Sequence, residues 1–281
     1  SPTRHHEADA EPFAVTASDI EALDPFQFRR FIRDLLCNEI DAYGGSPSDL
    51  IDNPGDGTDD GQDFATKRTI PIAGVADDFI PFGETVWQIK AEKQTPSPAE
   101  LKKEIAKPRP RAVLSAGGSY RFVAQQPGTN EDQIDAKLRR AAVDHGHNAV
   151  QVSFTARGGL ARRARRFPSL ARQRFFNRPL DMLHPYEWWN EKHQSPPFDD
   201  KARAKELATL QGFFVNPQRP AHLRVFGPTG VGKTRLVLEA LTRAALEPMI
   251  VYAENPASGQ FSALFDWIAT NRVRAVVVVD E

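Results

Sequence analysis

The chain contains Gly227-Pro228-Thr229-Gly230-Val231-Gly232-Lys233-Thr234, which fits the pattern G-x-x-x-x-G-K-[ST]. Residues 223–226 before it predict a strand, and residues 235–245 after it predict a helix with an apolar face. Glycines let backbone N–H groups surround phosphate oxygens, and a helix N-terminus adds a favourable dipole. The stretch predicts a nucleoside triphosphate site in which Lys233 contacts the β- and γ-phosphates and Thr234 binds Mg²⁺. The alternative is an ordinary glycine-rich turn.

A second element of such a site is expected at residues 275–281. The β-branched run at 275–279 predicts a strand that is buried on both faces, as in a parallel sheet. Asp280 would follow at the carboxyl end of this strand, beside the Mg²⁺, and Glu281 would orient or deprotonate the attacking water. A polar strand end is the simpler alternative for these two residues.

Bulk composition sets limits on the function. The 281 residues are enough for about two domains. A net charge of −1 and an isoelectric point of 6.7 give no global basic field of the kind that marks a nucleic-acid binder. The single cysteine, Cys37, excludes an intrachain disulfide and favours a reducing cytoplasm. With no apolar run of membrane-spanning length and no leader-like start, a cytoplasmic protein without membrane contact is expected.

Periodicity and turn residues divide the chain into four segments. These are a lead-in at 1–24, an α/β domain at 25–156, a basic and then Pro/aromatic-rich connector at 157–198, and the start of a nucleotide domain at 199–281. Asp24 and Pro25 predict the start of the first helix, as N-cap and first helical residue. The predicted helices cover residues 25–40, 97–106, 130–144, 199–210 and 235–245. The predicted strands cover residues 64–72, 85–90, 120–124, 149–154, 223–226 and 275–279.

Chemistry-bearing residues also occur in the first α/β segment. Asp63 ends a Gly/Asp-rich stretch just before a predicted strand, while Gln88 and Lys90 lie two apart on another strand and so share a face. Such a set can build a metal-dependent phosphodiesterase. Asp63 and the Ile89 carbonyl would bind Mg²⁺, and Lys90 would orient or activate the attacking water and stabilise the developing phosphorane charge.

Glu39 lies on the apolar stripe of the first predicted helix, three and four residues after Leu36 and Leu35. A carboxylate at such a position is costly unless it is paired or binds a metal ion. Glu39 is therefore a further candidate metal ligand, and a surface residue at the end of the helix is the alternative.

These residues resemble the Mrr-like branch of the PD-(D/E)XK nucleases, in which a first helix precedes a Gly/Asp-rich turn, the metal-binding Asp and a strand bearing Q-x-K. The matching residues are Asp60-Gly61-Gln62-Asp63 and Gln88-Ile89-Lys90. Members often carry a Glu early in the first helix, where this chain has Arg29-Arg30. The alternatives are a solvated turn for the aspartates and the solvent face of an edge strand for Gln88 and Lys90.

Eight arginines are clustered between residues 157 and 178. They predict salt-dependent DNA binding, or else a solvated helix face or pairing with the acid-rich N-terminal segment. His145, His147, His184 and His193 follow no metal-ligand spacing and are interpreted as structural or surface residues. Trp188 and Trp189 are interpreted as a packing anchor between domains rather than a base-stacking platform.

A Mrr-like domain fused to a phosphate-loop domain resembles the prokaryotic STAND NTPases of antiviral defence (AVAST-type), in which a C-terminal sensor follows the NTPase. This resemblance implies an α/β nuclease domain joined to a partial parallel-sheet NTPase domain, in an N-terminal fragment of a longer protein. It also implies an ATP- and Mg²⁺-dependent endonuclease for double-stranded DNA, which forms a homo-oligomer when the sensor binds a phage protein. The alternatives are an NTP-driven restriction or repair nuclease, and a nucleotide-switched DNA-binding scaffold whose nuclease-like domain is inactive.

Overall fold

In a computed structural model, the chain divides into two compact units, Ser1–Phe175 and Phe176–Glu281. The structure describes residues 15–42, 45–53, 61–69, 79–91, 96–125, 130–170, 183–193, 198–199, 201–215, 222–244, 246–254, 259–271 and 275–279. Both units combine helices with strands, as expected for an α/β protein. The residues predicted as a connector, 157–198, fall partly in each unit. Most of their described residues form helices and a strand.

The first unit contains a five-stranded mixed sheet with the order β1-β2-β3-β4-β5. Its strands are β1 (Leu50–Asp52), β2 (Phe64–Arg68), β3 (Gly83–Lys90), β4 (Ser119–Ala124) and β5 (Val152–Thr155). Its helices are α1 (Ala17–Glu21), α2 (Pro25–Ala42), α3 (Pro98–Ala106), α4 (Pro108–Ser115), α5 (Glu131–Asp144) and α6 (Arg157–Ala164).

Strand direction changes within this sheet. β1, β2 and β3 pair antiparallel, whereas β3, β4 and β5 pair parallel. Because parallel neighbours require a crossover, helices α3 and α4 connect β3 to β4, and α5 connects β4 to β5. The result is that β3, which carries Gln88 and Lys90, lies between an antiparallel and a parallel neighbour at the centre of the sheet.

Helix α2 begins where the sequence predicts. Asp24 Oδ1 accepts from the Gln27 N–H at 2.8 Å, and Gln27 Oε1 accepts in return from the Asp24 N–H at 3.0 Å. This reciprocal pair satisfies two backbone donors that the first turn of a helix leaves open. The six apolar residues of the predicted stripe are all buried, namely Phe28, Phe31, Ile32, Leu35, Leu36 and Ile40.

Several other predictions for the first unit need correction. The strand predicted at 149–154 begins later, because Ala149–Gln151 forms a 3-10 turn before β5. The strand predicted at 120–124 begins one residue earlier, at Ser119, and all six residues of β4 are buried. Asn130 precedes α5 as predicted, but no side-chain hydrogen bond caps the helix there. Strand β1 and helix α4 are not predicted, and residues 70–72 of the strand predicted at 64–72 lie outside the described residues.

The described part of the arginine-rich stretch folds onto the first unit. Helix α6 contacts α1, and Leu160, Ala164 and Phe167 are buried. Arg157 forms an ion pair with Glu21 of α1. These contacts correspond to the pairing alternative, in which basic residues neutralise carboxylates of the N-terminal segment. Arg172, Arg174 and Arg178 lie outside the described residues.

The second unit contains a three-stranded sheet with the order β6-β7-β8. Its strands are β6 (Leu183–Pro185), β7 (Ile250–Ala253) and β8 (Val276–Val279), and its helices are α7 (Tyr186–His193), α8 (Ala204–Val215), α9 (Lys233–Arg243) and α10 (Gly259–Asn271). β6 pairs antiparallel with β7, and β7 pairs parallel with β8. Helix α8 starts later than predicted, after a turn in which Asp199 Oδ1 accepts from the backbone of Lys201 and Ala202.

Trp189 is fully buried in the core of the second unit, with Leu238, Leu241, Met249 and Tyr252. Its ring stacks on Tyr252 at a centroid distance of 5.3 Å. The prediction that this tryptophan anchors one domain against another is therefore replaced by a role inside a single core. A Trp in a core contributes through its large buried area, which explains why the aromatic-rich segment folds with the second unit.

Residues 222–228 form no strand in the structure, which corrects the strand predicted at 223–226. Leu223 and Phe226 are exposed, and a strand requires hydrogen bonds to a neighbour. β8 also differs from its prediction, because Val276–Val278 are only partly buried and Val279 is exposed. Within the described residues, β8 pairs on one side only, with β7.

No helix within the described residues is long and apolar enough to cross a membrane.

Candidate functional site

Strand register brings Asp63 and Gln88 together. β2 and β3 pair Phe64 with Trp87, so the next pair outward is Asp63 beside Gln88. The Asp63 N–H donates to the Trp87 carbonyl at 2.8 Å, which extends the ladder past the end of β2. The backbone of Asp63 is therefore held by the sheet.

The Asp63 carboxylate is bound from β3. Its Oδ2 accepts from Gln88 Nε2 at 2.9 Å and from the Ile89 N–H at 2.7 Å. Because an ionised carboxylate only accepts hydrogen bonds, the amide of Gln88 must direct its nitrogen to Asp63. Gln88 is buried, and its Oε1 has no hydrogen-bond partner in the described part of the chain.

Lys90 is held by a residue that the sequence analysis misses. Its Nζ lies 3.3 Å from Oε1 of Glu104 on α3, and Lys107 Nζ lies 2.5 Å from Oε2 of the same carboxylate. Glu104 is buried between Leu101 and Ile105, which are spaced to share its helix face. A carboxylate on an apolar helix face is the signal that could have identified it, as it did for Glu39.

Glu39 is fully buried, and the structure pairs it with arginines. Its carboxylate oxygens lie 3.4 Å from Nη1 of Arg163 and 3.4 Å from Nη1 of Arg166. The guanidinium of Arg163 also lies over the Phe79 ring, 4.3 Å from its centroid. A buried carboxylate can be stabilised by an ion pair or by a metal ion, and these contacts are ion pairs. They also link α2 to the arginine-rich segment.

Arg29 is the second site residue that the sequence analysis misses, and it lies at the position where the resemblance to Mrr-like chains breaks down. Its Nη1 donates to Asp63 Oδ1 at 2.5 Å. Its Nη2 lies within hydrogen-bonding distance of Asp52 Oδ1 at 2.8 Å, the Asn53 carbonyl at 2.8 Å and the Asp63 carbonyl at 3.1 Å. The guanidinium also lies over the Phe64 ring, 4.5 Å from its centroid.

The donor atoms around Asp63 fit a hard cation in part. Mg²⁺ binds oxygens at about 2.0–2.1 Å. Asp63 offers a carboxylate, and Gln88 offers Oε1. The N–H of Ile89 donates to Asp63, and the carbonyl of Ile89 lies on the same edge of β3. Arg29, however, brings a positive charge onto Oδ1. Among the described residues, no cluster of three or more His, Cys, Asp or Glu side chains is arranged to hold a metal ion.

The second unit presents the glycine loop, residues 227–232, at the start of α9. Gly230 and Gly232 have φ of 82° and 81°, a region that residues with a Cβ rarely adopt. Lys233 Nζ donates to the carbonyls of Gly227 at 3.0 Å and Pro228 at 3.1 Å. Residues 227–232 are exposed, so the backbone of the loop before the N-terminus of α9 is accessible to solvent.

Two further residues lie at this loop, of which Thr234 belongs to the predicted nucleotide site and Arg203 does not. Thr234 follows Lys233 in the first turn of α9. Arg203 reaches the loop from the turn before α8, where its Nη2 donates to the Val231 carbonyl at 2.9 Å. Asp280 and Glu281 lie outside the described residues, so their predicted roles remain predictions.

His184 and Glu254 form a pair near the carboxyl end of β7. His184 Nε2 lies 3.1 Å from Glu254 Oε2, and Lys192 Nζ donates to Glu254 Oε1 at 3.1 Å. His184 also stacks on Trp188 at 3.6 Å between ring centroids. The structural interpretation of His184 agrees with these contacts.

Comparisons with protein-family models, with curated proteins and with solved structures find no match to this chain.

Proposed function

We propose that the chain is a nucleotide-gated effector whose first unit is a PD-(D/E)XK-type, Mg²⁺-dependent DNA endonuclease of the Mrr-like kind. The observation that carries this proposal is the β2–β3 register, which joins Asp63 to Gln88 and Ile89, with Lys90 one residue further along β3. An Asp, an amide and a Lys on two adjacent strands suit hydrolysis of a phosphodiester. Mg²⁺ bound by Asp63 and the Ile89 carbonyl would polarise the phosphodiester to be cut.

Lys90 and Glu104 complete the chemistry of this site. A protonated Lys90 would stabilise the charge that develops on the phosphorane oxygens, and it would orient the attacking water. Glu104 holds Lys90 Nζ from α3, so it would act as a positioning residue for that ammonium group. The second ammonium on Glu104, from Lys107, keeps its carboxylate neutralised when Lys90 turns to the substrate.

The second unit would act as the switch through ATP. The glycine loop offers backbone donors, and Lys233 occupies carbonyls of the same loop. On binding, Lys233 would exchange these carbonyls for the β- and γ-phosphates, and Thr234 would bind the Mg²⁺ that accompanies ATP. Roles for Asp280 as a further Mg²⁺ ligand and for Glu281 as the water-orienting residue belong to this proposal.

The partners in this proposal follow from its resemblance to the defence NTPases. They are double-stranded DNA as substrate, further copies of the chain in a homo-oligomer, and a phage protein as trigger. Clustering of several first units on one DNA would raise the local concentration of cutting sites.

A plasmid-nicking assay with ATP and Mg²⁺ tests the nuclease proposal. Lys90→Ala is the informative variant, because Glu104 keeps Lys107 as a partner and the fold loses little. Lys102→Ala is the matched control, since Lys102 lies on the same helix as Glu104 and pairs with Asp144. We expect nicking by wild type and Lys102→Ala and its loss in Lys90→Ala. Equal behaviour of all three would refute the proposal.

The second candidate is a nucleotide-switched scaffold that binds DNA without cutting it. The observation that favours it is the ion pair between Arg29 and Asp63, which neutralises the carboxylate that a nuclease needs for its metal ion. DNA binding that responds to ATP, together with no nicking under any divalent cation, would support this candidate over the first.

A further inference from the structure

Arg29 occupies the position next to Asp63 that a cation would take. The guanidinium contacts Asp63 twice, through the carboxylate oxygen Oδ1 and through the backbone carbonyl. It is fixed there by Asp52 and the Asn53 carbonyl and by its position over Phe64. A side chain with so many fixed contacts is held in one orientation rather than sampling several.

We infer that Arg29 excludes a divalent metal ion from Asp63 in the conformation described, and so keeps this site closed. The inference rests on the proposed function only in treating Asp63 as the metal ligand. Movement of Arg29 would then regulate the site, because the guanidinium must leave Asp63 Oδ1 before Mg²⁺ can bind there.

Charge supports this exclusion. Arg29 pairs with both the Asp63 and the Asp52 carboxylates. Arg33 lies 3.6 Å from Asp52 Oδ2 and equally close to Asp34 Oδ1. The charge of Asp63 is therefore already paired within the chain. A metal ion at bonding distance from Oδ1 would also lie within a few ångströms of the guanidinium and be repelled by it.

Coordination supports it as well. Both oxygens of Asp63 already accept hydrogen bonds, Oδ1 from Arg29 and Oδ2 from Gln88 and Ile89. Mg²⁺ requires near-octahedral geometry and gives up its water molecules reluctantly. It therefore competes poorly for a carboxylate whose positions are taken by fixed donors.

Binding of Mn²⁺ to the nucleotide-free chain, measured by the EPR signal of the free ion, tests the inference without relying on activity. The variants are wild type, Arg29→Gln, Arg29→Lys, and the double variant Arg29→Gln/Asp63→Asn, each checked for folding by circular dichroism. We expect Arg29→Gln to bind Mn²⁺ at least about tenfold more tightly than wild type, a difference of about 1.4 kcal/mol. The gain should disappear in the double variant, and Arg29→Lys should resemble wild type because it keeps the charge.

Asp63→Asn in the otherwise unchanged chain tests the inference even if Arg29→Gln does not fold. If Arg29 excludes the ion, this substitution leaves Mn²⁺ binding as it is in wild type. Loss of an Mn²⁺ site in Asp63→Asn would overturn the inference, and so would a folded Arg29→Gln that gains no site.

The nicking assay then separates this inference from the proposed function. If Arg29→Gln gains an Asp63-dependent Mn²⁺ site but does not nick plasmid in the presence of Mn²⁺ and ATP, the inference stands and the nuclease proposal fails. If nucleotide-free wild type binds Mn²⁺ through Asp63, and nicks plasmid once ATP is added, the nuclease proposal stands and the inference fails.

Discussion

The two regions to which we assign phosphate chemistry are held in opposite ways. They are the Asp63 cluster, formed by Arg29, Asp63, Gln88 and the Ile89 backbone, and the glycine loop of the second unit. In the Asp63 cluster, side chains from α2 and β3 bind the reactive carboxylate. In the glycine loop, backbone conformation forms the site, and the one cation rests on carbonyls of the loop itself. The Asp63 cluster is thus fixed by side-chain contacts, whereas the glycine loop is exposed to solvent. In the proposed function, only Lys233 would have to change partners when ATP binds.

Glu39→Gln tests the internal pairing of the first unit, and we expect the largest effect from it. Removing the negative charge leaves Arg163, which is mostly buried, without its carboxylate. We expect a loss of about 3 kcal/mol in the free energy of unfolding, measured by urea denaturation followed by circular dichroism.

The control for Glu39→Gln is Asp144→Asn, which removes a carboxylate paired with Lys102 and Arg140 at the surface. Exposed pairs contribute about 1 kcal/mol or less. An equal decrease in the free energy of unfolding in the two variants would show that the Glu39 ion pairs contribute no more than a surface pair does.

Lys233→Ala tests the glycine loop. Hydrogen bonds from a charged donor contribute about 1.5–3 kcal/mol each, so we expect ATP affinity to fall about 100-fold. Isothermal titration calorimetry measures this, with Lys201→Ala, an exposed lysine in the turn before α8, as control. ATP affinity that is the same in both variants and in wild type would end the assignment of a nucleotide site.

The variants Gly232→Ala and Gly212→Ala separate the effect of backbone conformation from that of steric contact. A Cβ at either position meets open space, but only Gly232 has a positive φ, of 81°. We expect Gly232→Ala to cost about 1–2 kcal/mol and to lower ATP affinity about tenfold. Gly212→Ala, inside α8, should instead stabilise the protein by up to about 1 kcal/mol.

Thermal unfolding and ATP titration of both glycine variants provide the measurement. If Gly232→Ala binds ATP like wild type, the left-handed turn at this residue is not needed for the phosphate.

Glu254→Gln gives the smallest expected effect. Hydrogen bonds from Lys192 and then His184 lower the pKa of Glu254 below its ordinary value of 4.5. The folded pKa thus lies below the unfolded one, so the stabilisation is present above pH 4.5 and is lost as the pH falls through the folded pKa. As the pH falls below 4.5 and through the folded pKa, wild type should therefore lose slightly more stability than Glu254→Gln. An identical pH dependence of the two melting temperatures would contradict this.

Local patterns predict much of the fold. The cap at Asp24, the stripe of α2, the helix that begins after Ser97 and the Q-x-K strand β3 all occur where periodicity and capping residues indicate. Interactions between distant segments account for the failures. Burial of all of β4 depends on helices and strands on both of its sides, which no local alternation encodes.

The candidate site divides in the same way. The sequence places Asp63 before one strand and Gln88 on another, and the register of β2 and β3 brings them together. The remaining contacts join segments that are distant in the sequence, namely Arg29 with Asp63, Glu104 with Lys90, and Arg163 with Glu39. The sequence around a charged residue does not reveal which distant partner it will bind. The signal available in the sequence is the carboxylate on an apolar helix face, which indicates that a partner is needed without identifying it.

The pairing of Glu39 with Arg163 and Arg166 has a mechanical consequence. Arg29 and Glu39 both belong to α2, ten residues apart, or about 15 Å along a rigid helix. Segment 157–170, which contains Arg163 and Arg166, is held to α2 through Glu39. One rigid helix therefore carries both sets of ion pairs, so a shift of α2 along its axis would displace the guanidinium on Asp63 and the Glu39 carboxylate together.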